Sequence, residues 1–213
     1  MASVSISGDV SGAISIAAPS AAGSGTLTLP VATDTLVGKA TTDTLTNKSI
    51  AATQLTGTIA AAALPAGSVL QVVNSQTGAL ASTTVTNPID DTIPQITEGA
   101  QVLSLAITPI SATSKLLFQI ILVVAPSATA NIVTALYQGS TASAIAASMS
   151  YFVGNTSGTV TLNYFMTSGT TSSTTFTVRF GPGSGTLYLN ASAGARVMGG
   201  VCMSSITITE YAV

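Results

Sequence analysis

Residues 115–124, KLLFQIILVV, put an apolar side chain at nearly every position of a segment with strand composition. In an extended chain Leu116, Phe118, Ile120, Leu122 and Val124 fall on one face, and Leu117, Gln119, Ile121 and Val123 on the other. A sheet strand with one solvated face alternates apolar with polar residues. This one is apolar on both, so both faces need a cover. In an antiparallel protein without helices the second cover has to come from elsewhere, most simply from a neighbouring subunit. Leu116, Leu117, Phe118, Ile120, Ile121, Leu122 and Val123 are therefore the candidate core and subunit-contact residues. By contrast Phe176, Val178 and Phe180 alternate with Thr175, Thr177 and Arg179, the pattern of a strand with one wet face.

The rest of the chain repeats the theme of strands without helices. Strand-like runs occur at residues 69–73, 101–107, 115–124, 132–137, 159–166, 174–180, 186–189 and 204–211, separated by loops rich in Ser, Thr, Gly and Pro. That number and spacing predict two packed sheets: an all-β, jelly-roll-like β-sandwich over residues 65–213. Residues 1–64 read as a separate extended, β-rich unit for attachment and interlocking between chains. In it Val4, Ile6 and Val10 alternate with serines, Ile14 and Ile16 flank Ser15, and Thr33-Asp34-Thr35-Leu36 recurs as Thr42-Asp43-Thr44-Leu45. This unit holds too little apolar volume for a core of its own. Residues 60–66 read as a linker in which Pro65 ends any short helix.

Charge decides what the surface is for. Only 6% of the residues are charged, against about 25% in an ordinary soluble domain, while mean hydropathy is +0.61. Such a chain hides its surplus apolar surface against other chains. Its five basic residues, Lys39, Lys48, Lys115, Arg179 and Arg196, are scattered, which excludes a nucleic-acid footprint or a polybasic membrane patch. The apolar run at 116–125 is about half the length of a membrane-spanning helix and is interrupted by Gln119, so no membrane insertion is expected. The opening MASVSISG has neither a basic nor a continuous apolar region, so the expectation is synthesis and retention in a cytoplasm.

Catalysis has little to work with. There is no histidine, which removes Ser-His-Asp and Cys-His chemistry and histidine-ligated zinc. The single Cys202 permits no intrachain disulfide and reads as a small buried hydrophobe. Asp90, Asp91 and Glu98 form the one local group of carboxylates, and they read as a solvated turn rather than a glycosidase pair or a calcium loop. Residues 181–185, GPGSG, lack the Lys-Ser/Thr ending of a phosphate loop and predict a turn; Asn47-Lys48-Ser49 matches a glycosylation acceptor in form alone. The expectation is a protein that is not an enzyme, with no catalytic residue, cofactor or metal. A structural ion pair between Lys115 and Glu210, within or between chains, is the one electrostatic contact singled out.

Four segments, in order, carry a resemblance: residues 67–73 (GSVLQVV), 104–117 (SLAITPISATSKLL), 135–142 (ALYQGSTA) and 201–211 (VCMSSITITEY). Together they resemble a domain that recurs in bacteriophage fibre and virion-surface proteins, notably of marine and cyanobacterial phages. Residues 29–50 are similar to a linker-like stretch of phage tail and structural proteins. The resemblance implies a homotrimer of jelly rolls of the TNF or C1q kind, at the virion surface and made in the host cytoplasm. With residues 1–64 before the jelly roll, it favours a capsid decoration (cement) protein or short head fibre bound to the major capsid protein. The alternative is a short tail fibre or receptor-binding tip, attached through a tail adaptor and reading a host surface glycan.

Overall fold

The structure, a computed structural model, describes Ser3–Ser7, Ala13–Ala17 and, from residue 49 onward, all but residues 52, 54, 55 and 58. The Thr-Asp-Thr-Leu repeat and nearly all of the linker-like stretch at 29–50 lie outside the described residues. The chain divides into two compact units, Met1–Thr56 and Gly57–Val213, a division that falls a few residues before the boundary read from the sequence. In the first unit β1 (Ser3–Ser7) and β2 (Ala13–Ala17) form an antiparallel hairpin that pairs Val4 with Ile16 and Ile6 with Ile14.

The second unit begins with a short 3₁₀ turn, Ala61–Ala63, which Pro65 prevents from growing into a helix. Twelve strands follow: β3 (Val69–Thr77), β4 (Ala81–Thr83), β5 (Ala100–Ile107), β6 (Lys115–Pro126), β7 (Ala130–Gln138), β8 (Ala146–Phe152), β9 (Gly158–Thr167), β10 (Thr174–Pro182), β11 (Leu187–Leu189), β12 (Ala191–Ser192), β13 (Ala195–Arg196) and β14 (Ser204–Tyr211). Among the described residues no helix is long and apolar enough to cross a membrane.

The pairing identifies the fold. Taking β3, β5, β6, β7, β8, β9, β10 and β14 in chain order, the first pairs with the last, the second with the second-last, and so inward: β3 with β14, β5 with β10, β6 with β9, β7 with β8. This is one long antiparallel hairpin. Rolling it up adds the pairs β14–β6 and β10–β7 and closes two sheets, β5-β10-β7-β8 and β3-β14-β6-β9, with β11 and β4 extending the second. A hairpin rolled in this way is a jelly roll.

Between the sheets lies one apolar core. From β6 come Leu116, Phe118, Ile120, Leu122 and Val124; from the facing sheet come Leu103, Ile132, Leu136, Phe176, Val178 and Phe180. The rings of Phe118 and Phe176 meet edge to face, with centroids 4.6 Å apart, and the Tyr164 ring lies 6.2 Å from Phe118. β6 is the structural spine because both its edges are hydrogen-bonded. β9 runs along one edge from Lys115 to Val124, and β14 and then β11 share the other. Phe118→Ala is expected to cost about 3–5 kcal/mol in urea unfolding, the range for an aromatic lost from a packed core.

Candidate functional site

The structure places the candidate β6 residues on two unlike surfaces. Leu116, Phe118, Ile120 and Leu122 are fully buried in the core. Leu117 and Val123 are half-buried and Ile121 is 44% exposed, all three on the outer face of the six-stranded sheet. Register extends that face across four strands in rows. One row runs Val72, Thr209, Leu117, Phe165; the next toward the end of the sheet runs Val69, Tyr211, Lys115, Thr167. Val72 and Phe165 are each 56% exposed, and the Phe165 and Tyr211 rings lie 6.4 Å apart. On the other side of the apolar row comes an amide and hydroxyl row, Asn74, Thr207, Gln119, Asn163, where the Asn74 amide donates to the Thr207 hydroxyl. A fourth row holds Gln76, Ser205, Ile121 and Thr161. Lys115 is the one charged side chain in these rows, and its ammonium donates to the Thr167 hydroxyl.

The expected ion pair between Lys115 and Glu210 is not formed, and parity explains why. Directly paired residues of an antiparallel ladder point to the same face. Tyr211 pairs with Lys115, and Glu210 pairs with Leu116. Lys115 therefore points outward, while Glu210 points to the buried side, where it is fully enclosed. Enclosure also puts its carboxylate out of reach of a lysine on another chain. The carboxylate is satisfied by neutral donors instead: the Gln71 amide, the Ser114 hydroxyl, and the backbone N–H groups of Ile110 at 2.9 Å and Ser111 at 3.3 Å. These donors tie the loop between β5 and β6 to the end of the sandwich. Charge-assisted hydrogen bonds to a buried carboxylate are among the stronger contacts a protein makes.

The outer face of the four-stranded sheet is dressed differently. On β7, Ile132 and Leu136 face the core while Val133, Ala135 and Tyr137 face outward, and all five are buried. The outward residues are covered by residues 84–99, the strap between β4 and β5. One end of the strap is held by the Asn87 N–H on the Pro182 carbonyl. The other is held by the Tyr137 hydroxyl on the Gln95 carbonyl at 2.8 Å, by Ile96 and Ala144 backbone bonds, and by the Arg179 guanidinium on the Glu98 and Gly99 carbonyls. Two glycines allow the close approach. A Cβ at Gly181 would lie 2.8 Å from that of Asn87, and one at Gly99, where φ is +61°, would lie 2.5 Å from the Phe180 oxygen. Burial pushes the Tyr137 phenol up to about 12, the Glu98 charge adds to this and Arg179 opposes it.

Asp90 and Asp91 are exposed on the strap between its anchors. Asp90 accepts from both the N–H and the hydroxyl of Thr92, and these bonds hold its carboxyl below the ordinary 3.8. Glu98 accepts instead from the Gln95 N–H. Among the described residues, no three His, Cys, Asp or Glu side chains gather as metal ligands. Cys202, read as buried, is half-buried, between exposed Val201 and Met203 in the loop before β14. Sequence reasoning missed the strap and β8. The available signal was β7 itself, a second strand apolar on both faces, beside a proline-bounded segment with no strand alternation.

No family model matches the chain, and no curated protein matches it. Among solved structures it is similar to chains of infectious bursal disease virus. For a viral particle of that virus the identity is 14%, covering 68% of this chain and 36% of the other, with a TM-score of 0.33. For the Gx strain the identity is 15%, covering 68% and 38%, at 0.32. For a VP2 subviral particle it is 14%, covering 68% and 39%, at 0.31. The chain thus spans little more than a third of the length of the viral chains it matches.

Glu210→Ala is expected to cost about 3–5 kcal/mol in urea unfolding, because several buried donors lose their acceptor. Lys115→Ala should stay within about 0.5 kcal/mol, and combining Lys115→Glu with Glu210→Lys should not restore stability. Tyr137 gives a pH signature. The fold favours the protonated phenol, so its contribution is complete below the ordinary value of 10.0 and is lost as pH rises through about 12. Protease cleavage within residues 88–93 should therefore increase over that interval, and Tyr137→Phe should remove the pH dependence.

Proposed function

We propose that this protein is a non-enzymatic structural component of a bacteriophage particle, a homotrimeric capsid decoration or head-fibre protein. The observation that carries the reading is the outer face of the six-stranded sheet. Val72, Leu117, Ile121 and Phe165 stand partly or largely in water there, with Lys115 the one charge, at one end of the face. A monomer dresses such a face with lysine and glutamate. Here the surface suits contact with a second apolar surface, and copies of a chain with so few charges bring little repulsion and few ions to desolvate.

Area argues for the form of the contact. Four strands about 4.8 Å apart and about nine residues long at roughly 3.3 Å each present somewhat under 600 Å² in projection. A stable interface takes about 800 Å² from each partner. The face therefore needs help from its rim, and Phe165 on β9, an edge strand among the described residues, supplies apolar surface there. An edge laid against the face of the next copy is a heterologous contact, which gives a ring where the rotation between copies closes. The resemblance to phage surface jelly rolls implies a ring of three. Buried area contributes about 25 cal/mol per Å², and a closed ring repeats that contact at every junction.

Sedimentation of the full chain without detergent should show a trimer. Ile121→Asp leaves the core untouched and should change the stability of an isolated chain by less than about 1 kcal/mol, yet it should dissociate the trimer. A monomeric parent protein, or a trimer indifferent to this substitution, would overturn the reading. A copy number in purified particles that matches the shell supports decoration; one that matches a single tail would move the protein to a tail fibre.

A further inference from the structure

We infer that the strap face carries a binding groove for a neutral, uncharged glycan. Between its anchors the strap stands off β7 and β8 and leaves three joined depressions, of about 430, 250 and 380 Å³. The first two share Asp90, Thr92, Pro94 and Ala147; the second and third share Pro88 and Ile89. They lie side by side along the strap as a shallow groove, and the strap is tied down at both ends by the hydrogen bonds of Asn87 and of Pro94, Gln95 and Ile96. The site is therefore shaped before any ligand arrives, which lowers the ordering cost of binding.

Its chemistry selects the ligand. One end offers the exposed Asp90 and Asp91 carboxylates, and the Thr92 bonds that lower the Asp90 pKa keep it an acceptor. The other end offers Tyr151, 66% exposed, beside Asn131 and Ser184. A sugar ring has hydroxyls that donate to carboxylates and an apolar C–H face that lies on an aromatic ring. Among the described residues no lysine or arginine lines any of the three depressions, so a sialylated, sulfated or phosphorylated ligand would meet two carboxylates with no countercharge. A row of depressions with acceptors at one end and an aromatic platform at the other suits several linked sugar units rather than one. The groove lies on the sheet opposite the proposed trimer face, and the inference stands whether or not that trimer forms.

The test is a titration of the full-length protein with short neutral oligosaccharides of hexoses and N-acetylhexosamines, with their sialylated counterparts, and with calcium chloride alone. Binding is read by amide shifts and calorimetry. Neutral oligosaccharides should shift amides in residues 88–94 and 146–152, and Tyr151→Ala should weaken binding about tenfold or more. Asp91→Asn, a change of charge with little change of shape, should do the same with the melting temperature unchanged. The inference is overturned if no neutral oligosaccharide binds, if the sialylated forms bind tighter, if calcium alone reproduces the shifts, or if both variants bind like the parent.

Discussion

Strand β6 is the constraint on which the other features of the jelly roll rest. Both its edges are taken, by β9 on one side and by β14 and β11 on the other, so it sets the register of the whole six-stranded sheet. Because side chains alternate, a slip of one residue would turn Leu116, Phe118, Ile120 and Leu122 out of the core. Glu210 lies on the same buried side because it pairs with Leu116. Core packing and carboxylate burial are thus two readings of a single register.

The chain solves one problem in two ways. β6 and β7 are each apolar front and back. On β7 the second face is covered from within by residues 84–99, with Tyr137 and Arg179 as the side chains that hold the cover down. On β6 the second face keeps Ile121 in water, along with Phe165, which stands across the ladder from Leu117. Asymmetry of this kind divides the sandwich into a face suited to contact with copies of itself and a face already shaped by its own chain. The proposed trimer and the proposed glycan groove follow that division.

Much of the fold was legible because apolar alternation survives in isolation. Every run singled out in the sequence lies within an observed strand or overlaps one, and Phe176, Val178 and Phe180 point inward as their pattern requires. β8 was not legible. Its residues, AASMSYF, include small side chains with weak strand preference, and the segment is extended because β7 pairs with it. The ion pair failed for a related reason. Lys115 and Glu210 are complementary and their strands are neighbours, but which face each side chain takes depends on a register between residues nearly a hundred positions apart. Glu210 is held by Gln71, Ile110, Ser111 and Ser114, a set that no local pattern announces.

By itself the sequence determined that this protein is built of strands, that it lacks histidine chemistry, and that it carries few charges for its apolar content. Those properties follow from residue type and from a period of two, which are local. Tertiary structure decided which of two greasy strands is covered from within, where the buried carboxylate finds its donors, and that a proline-bounded strap makes a groove. These depend on pairings between distant segments, and a side chain acquires its neighbours only when the rolled hairpin closes.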